Sequence, residues 1–167
     1  MIEFPAPIAR PDNLTDVEFF EFVFEKYFKP EFIDKPVYFN GKQLEIMPTP
    51  LRHGYNRCFW HMATKELSEG THEDDRIIDS NRCSKISWAK PTLDSVRDCL
   101  VWTKPVHSNL RICLWANHLD EDNYLVILEH RKLLSEAEQL LLWTGFPVVY
   151  KSYRKYLLKQ YSRYTPV

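Results

Sequence analysis

A chain of 167 residues with 44% hydrophobic and 14% aromatic side chains and only four glycines can bury a core without staples, and is neither disordered nor fibrous in composition. No apolar run approaches the roughly 20 residues that span a bilayer, and MIEFPAPIARPDN has neither the basic nor the apolar region of a secretory leader. A single soluble, cytoplasmic domain without repeats is therefore expected.

The net charge of −1 hides an uneven distribution. Residues 1 to 34 carry eight acids against three bases, whereas the last 21 residues carry five bases (Lys151, Arg154, Lys155, Lys159, Arg163) and no acid. Interleaved tyrosines make that terminus able to track a phosphate backbone, although a solvated amphipathic helix has the same composition. Cys58, Cys83, Cys99 and Cys113 lie far apart with no CxxC pair and are expected to be reduced core thiols. His53, Cys58 and His61 are near neighbours, but their spacing matches no usual zinc site, so no metal is expected.

Following a proline-rich lead, Asn13 or Thr15 can cap a helix with an acidic first turn. Phe19, Phe20, Val23, Phe24 and Tyr27 recur there at helical spacing, and Pro30 closes it. KPVYFNGKQLEI, residues 35–46, predicts a hairpin in which Val37 to Phe39 and Leu44 to Ile46 flank the turn pair Asn40-Gly41. Pro48 and Pro50 end that unit. A strand is predicted from Asn56 to Ala63, with His61 and Ala63 on one face and Trp60, Met62 and Thr64 on the other. Thr64 can then cooperate with His61 only if the strand ends or bends between them.

Residues 67–81 predict a polar loop with one helical turn. RCSKISWAKPTLDSVRDCLVW, residues 82–102, predicts a lead-in segment and a helix from Thr92 as cap, with Leu93, Val96, Cys99 and Leu100 on one side. Three strands follow, Leu110 to Ala116, Tyr124 to His130 and Leu140 to Val149, separated by turns at Asn117–Asn123 and Lys132–Glu138. The closing helix, 150–162, stacks Tyr150, Tyr153, Leu157 and Tyr161 on one stripe and Lys151, Lys155 and Lys159 on another. Helices first and a meander of strands later predict an α+β fold with an antiparallel sheet.

His61 is the first candidate for chemistry, because imidazole both takes and gives a proton near neutrality. Arg82 and Lys85 form a cationic pair suited to a phosphate. Thr144 puts a hydroxyl into an apolar strand, where it needs a partner if buried. Glu129 and Arg131 alternate with His130 and Lys132 at a strand end, and Glu129 could be a second acid/base group. Nucleotide-binding glycine loops, HExxH and GxSxG are absent, which removes the chemistries that depend on them.

The order of these motifs resembles the phage-associated branch of the Barnase/EndoU/ColicinE5/RelE-like (BECR) nuclease superfamily over residues 56–162. A strand with HxxT precedes R-x-x-K-I-x-W. The strands RICLW and YLVILE follow, then LLLWTGF and a closing Lys/Tyr-rich helix. Gly145 stands where alanine is usual, and residues 1–55, with the first helix and hairpin, form an N-terminal extension. The resemblance implies a curved sheet of about four strands packed by helices. It also implies a metal- and cofactor-free ribonuclease of toxin or phage-effector type, in which the ribose 2′-OH attacks the adjacent phosphate. On that reading His61 is the acid/base group, Thr144 and Thr64 assist it, and Arg82 and Lys85 hold the phosphate with Arg131 and Lys151 behind them. The partners would be RNA, such as a tRNA, and an antitoxin or inhibitor protein. The alternative is a non-catalytic RNA- or protein-binding regulatory module on the same scaffold.

Overall fold

The computed structural model describes residues 2–118, 123–133 and 137–164. Thr15, not Asn13, caps helix α1 (Asp16–Val23): its hydroxyl accepts from the Glu18 N–H while the Glu18 carboxylate takes the Thr15 N–H. The helix does not stop at Pro30. It continues as wider π-helical turns over Phe24–Ile33, in which the Asp34 N–H reaches the Lys29 carbonyl, five residues back, at 2.9 Å. A proline lacks the N–H of the α pattern and crowds the carbonyl four residues before it, and the wider turn accommodates both defects. Phe20, Phe24 and Phe28 of this helix pack on Phe59 at ring separations of 4.7, 4.8 and 5.1 Å.

Strands β1 (Val37–Phe39) and β2 (Lys42–Leu44) form the expected hairpin, with Asn40 at φ 48° and Gly41 at φ 77° in the turn. Beyond β2, Glu45 bridges to the main sheet through its N–H to the Leu140 carbonyl at 2.8 Å and through its carbonyl to the Leu142 N–H at 3.1 Å. The short pair β3 (Leu51–Arg52) and β4 (Tyr55–Asn56) then leads into helix α2, Arg57–Ala63.

Helix α2 overturns the strand expected from Asn56 to Ala63. Cys58, Phe59, Met62 and Ala63 are buried as one helical stripe, and Cys58 Sγ lies 3.7 Å from Met62 Sδ across one turn. Alternation would have sent Phe59 and Ala63 to the opposite face from Cys58 and Met62. Arg57 and His61, four residues apart, share the remaining side of the helix. Strand β5 (Thr64–Lys65) follows directly and pairs with β6 (Ile77–Ile78). The loop between them contains the one helical turn expected there, Glu73–Asp75.

The helix expected from Thr92 onward is also corrected. Asp79 caps α3 (Ser80–Ser84), α4 (Ala89–Asp94) ends before the apolar positions Val96, Cys99 and Leu100, and Leu100 opens strand β7 (Leu100–Val106). Thr92 is a buried mid-helix residue whose hydroxyl donates to the Trp88 carbonyl at 2.8 Å. The run LVW therefore belongs to a sheet edge, where β-branched and aromatic side chains fit a pleated surface.

Strands β7, β8 (Asn109–Ala116), β9 (Tyr124–Lys132) and β10 (Glu138–Pro147) form a four-stranded antiparallel sheet in the order β10-β9-β8-β7. The fold is α+β, as its element order predicts. The turn expected at Asn117–Asn123 falls partly outside the described residues at 119–122, and that at Lys132–Glu138 at 134–136. One face, with Leu114, Tyr124, Val126, Leu128, Leu140 and Leu142, packs in a single core with residues of α1 to α4 and the hairpin. The other face, with Trp102, Cys113, Trp115 and Leu125, is covered by α5 (Lys151–Arg163) through Tyr153, Leu157 and Tyr161. Because Tyr153 meets Phe146 on β10 and Tyr161 meets Trp102 on β7, α5 crosses the sheet and covers only part of that face. Gly145 has a packing reason: a Cβ there would stand 3.1 Å from Cε1 and 3.2 Å from the hydroxyl of the buried Tyr124. No helix among the described residues is long and apolar enough to cross a membrane.

Candidate functional site

Strand alternation places Arg111 two residues from Cys113 and Glu129 two residues from Ile127, on the α5 side of the sheet. Lys104, Arg111, Glu129 and Leu141 are cross-strand neighbours in one row, and Arg131 follows Glu129 on the same face. The pairing of β10 with β9 slips between Leu142 and Thr144, so Trp143 is the extra residue of a β-bulge. A bulge re-aims the side chain it carries. Here it sets the indole among three guanidinium groups: Arg57 at 3.9 Å, Arg111 at 4.6 Å and Arg131 at 5.8 Å from the ring centroid. Each distance is within cation–π reach.

Each of these arginines holds one carboxylate through Nε. Arg111 reaches Glu129 at 3.2 Å, Arg131 reaches Glu129 at 2.6 Å and Arg57 reaches Glu73 at 2.5 Å. Their terminal Nη groups have no hydrogen-bond partner among the described residues. Glu129 is buried, which an unpaired carboxylate could not sustain; the two arginines and the Asn109 amide, at 3.5 Å, satisfy it. Arg52 adds a fourth guanidinium, holding Glu73 at 2.8 and 3.0 Å. With Asp74 3.5 Å from Arg52 Nε, four guanidiniums thus meet three carboxylates, and the cluster keeps an excess of positive charge.

His61 stands at the border of this cluster, its ring 6.3 Å from that of Trp143 and its Nε2 on the Glu73 carboxylate. Burial, joined by the Arg76 and Arg57 charges, outweighs the Glu73 hydrogen bond and pushes the His61 pKa down to about 4. Burial opposes ionisation of Glu73, but hydrogen bonds from His61, Arg52 and Arg57 hold its carboxyl down at about 2. A neutral imidazole against an ionised carboxylate must carry its proton on Nε2. Nδ1 is then the basic nitrogen, and it has no hydrogen-bond partner among the described residues.

The other sequence candidates divide. Arg131 joins the cluster. Arg82 and Lys85 do not act as a pair: Arg82 Nη1 donates to the Thr64 carbonyl at 2.8 Å and the His61 carbonyl at 3.2 Å, closing the C-terminus of α2, while its guanidinium lies 4.5 Å above Phe146. Lys85 instead lies 4.8 Å over the Trp88 ring. The helical turns between residues 80 and 88 send the two side chains to different neighbours. Thr64 ends α2; its hydroxyl donates to the Trp60 carbonyl at 2.5 Å and accepts from Arg76 Nε at 2.9 Å, so it faces the core and not His61. Thr144 is buried in the row next to Glu129, beside Ile127 and just past the bulge. Lys151 opens α5 as an exposed residue, with no contact to the cluster.

The three side chains weighed as zinc ligands turn to different partners: the His53 ring lies tilted against Trp60 at 4.6 Å, Cys58 meets Met62, and His61 meets Glu73. All four cysteines are free thiols, and only Cys99 is not fully buried. Sequence reasoning missed Arg57, Glu73, Arg111 and Trp143. The i, i+4 pair Arg57/His61 and the same-face series Arg111, Glu129, Arg131 were the available signals, once α2 is taken as a helix and β8 and β9 as neighbours. Glu73 comes from an acidic loop whose register against α2 no local pattern specifies. Compared with protein-family models, curated proteins and solved structures, the chain matches none.

Proposed function

We propose that the chain is a metal-independent ribonuclease whose active centre is the Trp143 cluster. The observation that carries the reading is the convergence of three guanidiniums with unpartnered terminal donors on one indole, with a histidine at its border. Guanidinium forks are suited to phosphate oxygens, and an indole face is suited to an unstacked base. His61 Nδ1 takes the 2′-OH proton, the 2′-oxygen attacks phosphorus, and the imidazolium so formed returns that proton to the departing 5′-oxygen, giving a 2′,3′-cyclic phosphate. Arg57, Arg111 and Arg131 stabilise the charge on the phosphorane. An anionic phosphate set among the arginines also offsets the charges that depress the proton affinity of His61, bringing it toward the working range of a general base. The requirement for a 2′-OH makes RNA the substrate.

The test is cleavage of end-labelled RNA in EDTA. His61→Ala should lower the rate by about 10²- to 10⁴-fold, the usual contribution of a positioned acid/base group, with thermal unfolding unchanged in cooperativity. A second reading rests on a specific observation: His61 and every arginine of the cluster already hold a carboxylate, as in a site that binds RNA without cutting it. A mobility shift without products, unaffected by His61→Ala, would establish that reading and end the first.

A further inference from the structure

The sheet face that α5 crosses changes character on β7, β8 and β9 alike. Trp102, Cys113 and Ile127 belong to the apolar part under the helix, and two residues on stand Lys104, Arg111 and Glu129. Asn109 and Arg131 follow after two more residues on the same face. α5 rests on the apolar part, with Tyr153 on Phe146 and Tyr161 on Trp102, and leaves the polar strip uncovered. The strip is three inter-strand spacings wide, about 14 Å from β10 to β7. At its β10 end stand Trp143 and its arginines. At its β7 end, Lys104 has no hydrogen-bond or ion-pair partner among the described residues. Glu129, the one carboxylate on this face of β7 to β9, is already held by Arg111, Arg131 and Asn109. Glu45, at the β10 edge, takes the Gln139 amide at 2.6 Å.

We propose that this strip binds an unpaired stretch of RNA running from Trp143 across β9 and β8 to β7, and that Lys104 holds a phosphate other than the scissile one; this rests on the ribonuclease reading. Charge is the first argument. On β7 to β9 the strip carries Lys104, Arg111 and Arg131 against the single carboxylate of Glu129, and the cation without a partner is the one farthest from Trp143. Position is the second. Arg111, the cross-strand neighbour of Lys104, turns to the indole, whereas Lys104 starts one strand further out, about 14 Å from β10, a distance that a lysine side chain does not span. A phosphate that Lys104 meets is therefore another one along the same strand. Chemistry is the third. Attack requires the 2′-oxygen to stand opposite the departing 5′-oxygen, and an A-form duplex holds it to one side, so the RNA is unpaired where it is cut. A cationic groove that follows the backbone is how such a strand is held, and α5 forms one wall of that groove.

The measurement is calorimetric titration of the full chain with 2′-O-methyl oligouridylates, which lack the attacking hydroxyl and are not cut. A dinucleotide without terminal phosphates has one phosphate, which the Trp143 arginines take; an octanucleotide also reaches Lys104. Lys104→Gln, with the thermal unfolding of the parent, should weaken the octanucleotide about fivefold and flatten its slope of log affinity against log salt by about 0.7, as for one phosphate contact of a single strand. Binding of the dinucleotide should not change. Lys26→Gln removes the same charge from an exposed position of the Phe24–Ile33 helix and should alter neither ligand. A 2′-O-methyl duplex should bind more weakly than the octanucleotide. An equal loss for both lengths in Lys104→Gln, no loss for either, an octanucleotide that does not bind, the same loss in Lys26→Gln, or a duplex bound as tightly as the single strand overturns the proposal. Cleavage of unmodified RNA is a separate readout. The length-dependent loss in a protein that cuts no RNA leaves the strip standing and ends the ribonuclease reading, while cleavage by a protein in which Lys104→Gln binds like the parent does the reverse.

Discussion

Two groups of arginines meet opposite ends of α2 and do different work. At the C-terminal end, Arg82 and Arg76 turn their guanidiniums onto the end of the helix: Arg82 onto the His61 and Thr64 carbonyls, Arg76 onto the Thr64 carbonyl at 2.8 Å and the Thr64 hydroxyl, with its Nη1 on Glu66 at 3.1 Å. At the N-terminal end, Arg57 joins Arg111 and Arg131 around an indole, each holding a carboxylate by Nε and keeping its terminal donors. The first arrangement serves the fold, since helix-end carbonyls need donors and a cation at a helix C-terminus is favoured. The second has more positive charge and more donors than the protein itself uses. Residue type alone does not separate a structural arginine from a binding one. What separates them is what the engaged donors hold: chiefly the end of α2 in the first group, only carboxylates in the second.

Removing a structural arginine should therefore produce the largest change in stability. Arg82→Ala should cost about 3 kcal/mol, because two carbonyls at the end of α2 lose a charge-assisted donor at a mostly buried position. For a domain of this size that lowers Tm by roughly 6 to 12 °C. Arg82→Lys should recover less than half of the loss, as an ammonium lacks the planar group that lies on the Phe146 ring while Nη1 reaches both carbonyls. The comparison breaks if Arg82→Ala unfolds like the parent protein and loses RNA binding instead.

The acid limb of stability comes second in size. The His61 pKa lies near 4 in the fold against an ordinary 6.5, so between those values the unfolded chain takes up a proton that the folded chain refuses. Stability must fall as pH drops through that window. Glu73, held near 2 against an ordinary 4.5, stabilises the fold above 4.5 and loses that contribution as pH falls toward 2. With partial solvent access at both groups, each limb should amount to about 1 to 2 kcal/mol. Denaturant midpoints at pH 6.5 and 4.5 would show it, and His61→Gln should flatten the upper limb alone. Equal slopes in both proteins would mean that His61 titrates in the fold as it does in an open chain.

Much of this architecture was legible from local pattern, and the failures share a cause. Asn40-Gly41, the three late strands and the tyrosine stripe of α5 are each specified within a few residues, and appear where expected except for Tyr150, which precedes α5 and is exposed. In Asn56 to Ala63 the aromatic, strand-like composition of Phe59 and Trp60 competes with the i, i+4 placement of Cys58 with Met62 and of Phe59 with Ala63. Packing against Phe20, Phe24 and Phe28 decides for the helix. The LVW run fits a helical pattern because nothing local shows that β8 needs a partner on its outer edge. Of the candidate site, His61, Glu129 and Arg131 were visible as polar groups in apolar surroundings. Trp143 was not, because a bulge is a property of two strands together and LLLWT contains nothing that marks one.

The smallest expected effects would sharpen the comparison most, because they ask which positive surface RNA uses. Arg57→Ala removes one guanidinium from Trp143 and leaves Glu73 with Arg52 and His61. RNA affinity should fall about tenfold at moderate salt, and the slope of log affinity against log salt should flatten by about one, as for the loss of a single phosphate contact. Lys151→Ala removes a charge of the same sign from the exposed start of α5, away from the cluster. Its effect on affinity should stay below about threefold, since a mobile surface lysine offers one screened charge and no fixed geometry. Were the two variants to lose equal affinity with equal changes in salt slope, the basic helix and not the indole cluster would carry the RNA. The arginines around Trp143 would then rank with Arg76 and Arg82 as parts of the fold, and their unpartnered donors would be no more than surface groups facing water.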